Sequence, residues 1–467
     1  KKYIPCCGSG LFAVAALFVI LAQPMKGLSP EGQLVSGGLL LTIGLWIFRP
    51  FSLPFSGGAL FLATYLLIVG IPFDTVFSGF TQTAIWTLIA ASFFGFVLEK
   101  SGLGRRIAYA VVRRLRPTYP FMILAWVLIG MALSVLTPSI TVRVAIVIPI
   151  AAQMCGLFHL EKYSKGNSLI MLSAFSMAIL PGSAWFSGSL WGPIISGLYQ
   201  SIPEMDGLLT PQNWNAVMMV PMLLVSLILA VGSYFVLKPS DALSEQAITK
   251  LKNQPSTPMS RQEKAAAIIL ILSFLLFSTS KFHGIPDVAV CLGAIVLFYL
   301  SGVMNVEDFS SGISWDLAIF IGISLSLGAI FAETGVSAWL SAVIVPALAP
   351  VATNPWLFLS LFTLALFLWR FLDVAILIPT MAILIPILPA VYEAYSISPL
   401  VWVAVFVMTG NCFFMNYQNM WANMSLSIAG DRAWTPGHLL RFSLLYFAAC
   451  ILSLSAAIPL WRGEGFL

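Results

Sequence analysis

Apolar runs long enough to cross a bilayer recur along the chain from near Leu11 to Leu460, parted by short polar, glycine- or proline-rich breaks. A helix rising about 1.5 Å per residue needs about 20 residues to cover roughly 30 Å of hydrocarbon. The pattern predicts an all-α polytopic membrane protein with about 11 transmembrane helices plus two re-entrant hairpins. The membrane domain is then the whole molecule, with no room for a separate soluble domain.

Two stretches of this pattern repeat. "FSGFTQTAIWTLIAASFFGFVLEKSGLG" (Phe77 to Gly104) can be set against "FSSGISWDLAIFIGISLSLGAIFAETGVS" (Phe309 to Ser337), and Gly79, Gly95 and Gly102 then match Gly312, Gly328 and Gly335 at one constant offset. The first is followed by Arg105, Arg106, Arg113, Arg114 and Arg116, whereas the equivalent "AWLSAVIVPALAP" carries no charge. Basic loops stay in the cytoplasm, so the two copies should face opposite sides. This predicts an inverted repeat, the organisation of many secondary transporters. Residues 1–29 form an N-terminal helix, 30–237 the first repeat, 238–264 a cytoplasmic linker and 265–467 the second repeat.

Composition agrees: 59% of residues are hydrophobic and 9% charged, against about 25% charged in a soluble domain. The net charge of +5 comes from loop residues and marks cytoplasmic loops, not a nucleic-acid partner. Six cysteines are scattered without metal-ligand spacing and read as buried thiols, with acylation of Cys6 or Cys7 as an alternative. The start, Lys1-Lys2 and then an apolar stretch from Gly10, resembles a signal peptide locally but lacks a small-residue cleavage site, so a retained first helix is expected. The chain begins without methionine, so some preceding residues are expected to be missing.

Ionisable residues inside apolar runs are functional candidates by default. In "LTPSITVRVAIVIPI" (Leu136 to Ile150), Thr137 can cap a helix whose first position is Pro138. From Ser139 to Cys155 that helix is short for a full crossing, so its N-terminus should open onto a polar cavity and favour an anion. Ser139 and Arg143 are four apart and share a face, so Arg143 adds a positive charge for the substrate. The competing reading is that Arg143 snorkels or pairs with a buried acid, Asp373 being the obvious partner. "LWRFLDVAILIPTMAILIPIL" (Leu368 to Leu388) places Arg370 and Asp373 correspondingly, with Asp373 able to cap another half-helix, to carry a proton or to pair with either arginine. Two further interruptions follow in matching order. "PGSAWFSGSLWGP" offers Ser183, Ser187, Gly188 and Ser189, and "TGNCFFMNYQNMWANM" offers Asn411, Asn416, Tyr417, Gln418 and Asn419, as groups for ions or substrate oxygens or for interhelical hydrogen bonds.

At these residues the chain resembles the divalent anion:sodium symporter family. "TPSITVR" is similar to the Thr-Pro-Ser-Asn-Thr-Ala-Arg signature of its dicarboxylate/citrate exchanger branch, matching at Thr137, Pro138, Ser139, Thr141 and Arg143, with Ile140 in place of asparagine. "WTLIAASFFGFVLEKSGLG" and "WDLAIFIGISLSLGAIFAETGVS" resemble the segments that lead into its hairpins, and "GDRAWTPGHLLRFSLLYFAACIL" its closing helix. The resemblance implies transport of di- or tricarboxylates or sulfate, with Ser-Asn-Thr motifs in both halves binding sodium and substrate. It also implies a homodimer in which a transport domain moves elevator fashion against a fixed scaffold. Aligned on the downstream prolines, the second motif falls on Ile376-Leu377-Ile378, which offer no side-chain oxygen; a gapped alignment puts Leu372-Asp373-Val374 there.

The expectation is a secondary transporter of a small anion in the bacterial inner membrane, lipid-embedded, running by exchange or proton coupling. Substrate would meet Ser139, Thr141, Arg143, Ser187, Gly188, Ser189, Asn416, Tyr417, Gln418 and Asn419, with Asp373 and Arg370 coupling or gating. No cofactor is expected beyond Na+ or H+ as coupling ion, with weak sodium positions at Ser139, Gly188 and Asn411. The apolar replacements suggest a substrate with a hydrophobic portion or a single anionic group. Sodium-coupled dicarboxylate symport, a passive channel and a lipid-modifying membrane enzyme are the rivals. The last needs clustered acid/base or metal groups, and His159, His283 and His438 lie far apart in sequence near helix ends.

Overall fold

The computed structural model describes residues 4–114, 116–243, 258–373 and 376–467; side chains of residues 4–7 and 281 lie outside this description, as does most of the linker read at 238–264. The described residues fold into twenty helices of seven residues or more, joined by short turns of helix and loops. We label those the argument needs: α1 Ile4–Ala22, α2 Pro30–Phe48, α3 Phe55–Val69, α4 Thr83–Lys100, α5 Leu103–Val112, α6 Tyr119–Leu136, α7 Ile140–Leu157, α8 Lys165–Ile179, α9 Trp191–Gln200 and α10 Pro211–Leu237. The second half supplies α11 Arg261–Ser278, α12 Asp287–Leu300, α13 Trp315–Glu333, α14 Val336–Ala352, α15 Pro355–Trp369, α16 Ile378–Leu384, α17 Leu388–Tyr395, α18 Pro399–Gly410, α19 Met420–Ala429 and α20 Pro436–Gly463. Among the described residues nine helices are long and apolar enough to cross a membrane, and six shorter apolar helices accompany them.

The matched segments meet by exchange. α3 packs on α13 and α12 on α4, while α2 and α11 cover α3 and α12 in turn. Gly79 donates its N–H to Ser326 Oγ at 2.9 Å, and Gly312 lies against the Phe93 ring. Phe93 and Ser326 stand at the same sequence offset as the two glycines, so each copy touches the other at the equivalent place. Because Gly79 precedes α4 yet meets the middle of α13, and Gly312 precedes α13 yet meets the second half of α4, the two helices run antiparallel. Gly102 (φ 78°) and Gly335 (φ 76°) both take the left-handed conformation that starts the next helix, which glycine adopts at least cost.

Two long helices close the halves. α10 and α20 each begin with a threonine cap and a proline at the first position, Thr210-Pro211 and Thr435-Pro436, and they pack along one another. On the basic side, Arg106 holds Glu263 through two bonds, Nε to Oε1 at 2.9 Å and Nη2 to Oε2 at 3.0 Å. Those bonds keep the Glu263 carboxyl below the usual carboxylate range and fix the start of α11 beside the arginine-rich stretch.

α8 and α18 are the centre of the fold: from Gly166 to Ile179 and from Pro399 to Gly410 every residue is buried. Each ends in one of the two polar interruptions, which therefore sit inside the protein. Cys155, Cys291, Cys412 and Cys450 are buried free thiols, whereas the Cys6 and Cys7 side chains lie outside the described residues.

The exchange contact is unequal in its tolerance. A Cβ on Gly79 would fall 2.0 Å from the Gly322 carbonyl oxygen, and one on Gly312 would fall 2.6 Å from the Phe93 ring. A backbone oxygen cannot turn away as a ring can, so Gly79→Ala should cost about 1–3 kcal/mol and Gly312→Ala less, as read from thermal unfolding of the purified protein in detergent. Equal losses would mean that the ring is held as rigidly as the backbone.

Candidate functional site

The break before α7 is built by hydroxyls, but not as its sequence suggests. The helix starts at Ile140 and its cap is Ser139, whose Oγ accepts from Val142 N at 3.4 Å; Thr137 Oγ1 accepts from Ser139 N at 3.1 Å. The expected cap at Thr137 is therefore displaced by two residues, because Thr137 stays extended as the cap of α6. Nor is the helix short: its 18 residues reach about 27 Å at ~1.5 Å per residue. Ser139 packs against Gly95, where a Cβ would come within 2.7 Å of the serine Cβ. Pro138, Ser139 and Thr141 line a cavity of about 280 Å³ together with Ser92 and Glu99 of α4 and Ser311 and Ser314 ahead of α13.

Arg143 is absent from that cavity wall. Its side chain is fully buried and turns to the interruption that follows α8. A Cβ on Gly182 would fall 2.2 Å from Arg143 Nη1 and 2.3 Å from Gly188 O, so the arginine fills the space that a side chain there would take. None of the three guanidinium nitrogens has a hydrogen-bond partner among the described residues. The same turn carries the buried and equally unpartnered Ser183 Oγ, Ser189 Oγ and Trp185 Nε1, and Ser187 faces a small neighbouring cavity beside Pro138 and Asp287. Burying an unpaired charge costs several kcal/mol, so a guanidinium buried in this turn is suited to pair with an anionic group.

Asp373 does not supply it. Its carboxylate Oδ1 lies 3.8 Å from Arg370 Nη1, and its Oδ2 accepts from Thr380 Oγ1. Arg370, also fully buried, donates Nη1 to Asp373 O and Nη2 to Gln418 O. Asp373 is not the cap of α16 either: the helix begins at Ile378 behind Leu377, which with Ile376 takes a left-handed φ (62° and 56°), a conformation costly for a β-branched side chain.

The interruption after α18 is tied up by its own polar groups. Asn419 caps α19, accepting from Trp421 N at 3.0 Å and Ala422 N at 3.2 Å, and its Nδ2 donates to Asn411 O at 3.3 Å. Gln418 Oε1 accepts from Met415 N at 2.7 Å, Asn416 Oδ1 accepts from Trp434 Nε1 at 3.1 Å, and the exposed Tyr417 donates to Phe371 O at 3.2 Å. Two tryptophans join this loop to the first half: Trp191 Nε1 donates to Asn411 Oδ1 at 3.3 Å, and Trp421 Nε1 to Thr141 Oγ1 at 3.1 Å. Each stands at the start of the helix leaving an interruption. Sequence reading passed over both, and over Gly182; an indole N–H in a buried segment that needs a partner was the available signal.

The residues suggested for sodium stand on three different segments. Ser139 caps α7, Gly188 stacks on Gly182 and Asn411 bonds to Trp191 and Asn419, with no hydrogen bond joining the three among the described residues. Ile376, Leu377 and Ile378 are buried and apolar; Val374, needed by the gapped alternative, lies outside the described residues.

Because a Cβ on Gly182 would collide with Arg143 Nη1, Gly182→Ala should push the guanidinium out of the turn and weaken the anion binding proposed below at least tenfold, about 1.4 kcal/mol. Isothermal titration against Gly156→Ala, an open position, checks this; unchanged affinity would detach Gly182 from the arginine's task.

The profile described as sodium:sulfate symporter transmembrane region matches residues 8–427. The chain is similar to chloroplastic dicarboxylate transporter 1 of Arabidopsis thaliana, 26% identical over 359 residues covering 71% of this chain and 62% of that protein. It is 24% identical to the L-tartrate/succinate antiporter of Escherichia coli over 272 residues, 56% of this chain and 55% of the relative. Among solved structures it shares its fold with the YdaH transporter of Alcanivorax borkumensis, with a TM-score of 0.57 at 14% identity over 84% of this chain and 88% of that one.

Proposed function

The chain belongs to the family of the sodium:sulfate symporter transmembrane region, and on that premise we propose that it is a secondary transporter exchanging small carboxylate anions at Arg143. Families of this kind move solutes, so the lipid-modifying enzyme weighed from sequence is set aside. The observation that carries the reading is the fully buried Arg143 guanidinium without a hydrogen-bond partner among the described residues, in a turn whose Ser183, Ser189 and Trp185 donors are likewise unpartnered there. One carboxylate pairs with the guanidinium, and the hydroxyls and indole take its remaining lone pairs. In this reading the cavity lined by Ser139 and Thr141 serves as the vestibule to that turn.

The names of the relatives, a dicarboxylate transporter and a tartrate/succinate antiporter, favour a C4 dicarboxylate and an exchange mode. The antiparallel α4 and α13 favour the inverted repeat, with residues 30–237 and 265–467 as its halves. In this reading each protomer of a homodimer in the inner membrane carries both interruptions across the bilayer together, in an elevator stroke against a fixed scaffold.

Purified protein in liposomes, offered radiolabelled dicarboxylates, tricarboxylates, sulfate and monocarboxylates under separately imposed sodium, proton and counter-substrate gradients, tests the proposal. Uptake of dicarboxylate driven by internal substrate or protons is expected. Strong sodium-driven uptake would reinstate the sodium symporter reading. Arg143→Ala should abolish uptake and anion binding while leaving the unfolding transition cooperative, and retained affinity would remove Arg143 from the site.

A further inference from the structure

Arg370 follows the last residue of α15, where carbonyl groups point out of the helix and the negative end of its dipole favours a cation. The guanidinium holds two segments together. Nη1 donates to the main-chain carbonyl of Asp373, in the turn before α16, and Nη2 to that of Gln418, in the interruption after α18. A carboxylate oxygen of Asp373 stands 3.8 Å from Nη1, and the second is held by Thr380, which accepts from Trp369 Nε1 at 2.8 Å. Oxygens from two unwound segments thus converge on one positive charge that is 0% exposed.

Unwound carbonyls joined by a carboxylate oxygen are the ligands that a hard monovalent cation takes inside a membrane protein. Here a side chain already occupies the meeting point. The planar fork of a guanidinium reaches two oxygens in different directions at once, which a single ammonium point charge does less well. The neighbouring Ile376, Leu377 and Ile378 add no oxygen and are buried.

We propose that Arg370 is a cation built into the chain: its guanidinium takes the place of an exchangeable monovalent ion between the turn before α16 and the loop after α18. The inference deepens the transport reading, on which it rests, by assigning the coupling property of its second half. A tethered charge cannot leave to either side, so no ion gradient does work through this position. Paired with Asp373, Arg370 is also electrically closed, and Arg143 is left as the arginine that substrate must neutralise.

The test is thermal unfolding of the full-length protein in detergent without substrate, in choline, sodium or guanidinium chloride at equal, non-denaturing concentrations. Arg370→Ala leaves the oxygens without their charge and should lower the Tm in choline by several degrees. Sodium or guanidinium should restore part of that loss, and the gain should exceed that of wild type in the same salts, because a ligand that binds only the folded state raises its stability. Arg370→Lys should fall between the two and gain no more from sodium than wild type does. The proposal is overturned if Arg370→Ala gains nothing beyond wild type, if it fails to fold in all three salts, or if Arg370→Lys gains as much as Arg370→Ala. Since no substrate is present, failure here leaves the Arg143 assignment intact, and active Arg143→Ala protein would leave this one intact.

Discussion

A backbone that leaves its helix at membrane depth has no water to turn to, and every N–H and C=O it frees must be met from within the protein. That constraint shapes the centre of this molecule. Every residue of α8 from Gly166 on and every residue of α18 is buried, and the loop after α18 is held by the Asn419 cap, by Gln418 and by the Trp191 indole. Trp191 of the first break reaches Asn411 of the second, and Trp421, just beyond the second, reaches Thr141 in the first turn of α7. The two breaks form one connected unit, and disturbing either loosens both.

Within that unit two arginines share the same complete burial and differ in how they are met. Arg370 donates to two carbonyls and faces a carboxylate; the three Arg143 nitrogens have no hydrogen-bond partner among the described residues. A protein that binds and releases an anion needs a charge of the second kind, stable only when something else supplies the negative group. It also needs the rest of the site not to compete for that group. Under the proposed function, placing the acid on Arg370 meets this need, because an acid beside Arg143 would compete electrostatically with an anionic substrate.

The same economy runs through the repeat. Gly79 and Gly312 allow close approach at equivalent places, and the antiparallel pairing of α4 with α13 lets one half cover the apolar face of the other. Equivalence stops at the chemistry. The first half keeps a hydroxyl cap ahead of α7, whereas the second has Ile376 and Leu377 in left-handed backbone ahead of the seven-residue α16.

By itself the sequence determined that this is an all-α membrane protein, that two stretches repeat, and that "TPSITVR", the serine-glycine turn and the asparagine-rich loop are its chemically loaded breaks. These follow from local properties: hydropathy over about 20 residues, glycine spacing, and polar groups where lipid forbids them. It could not decide which acid serves which arginine. Asp373 lies three residues from Arg370 and far along the chain from Arg143, yet both pairings were open until the turn at Asp373 and the carbonyl of Gln418 were seen to meet at Arg370. Nor could it show that Arg143 rests on Gly182, since glycine carries no side chain to announce a contact. Which groups pair depends on which distant segments the helices bring within a few ångströms, and only the tertiary structure fixes that.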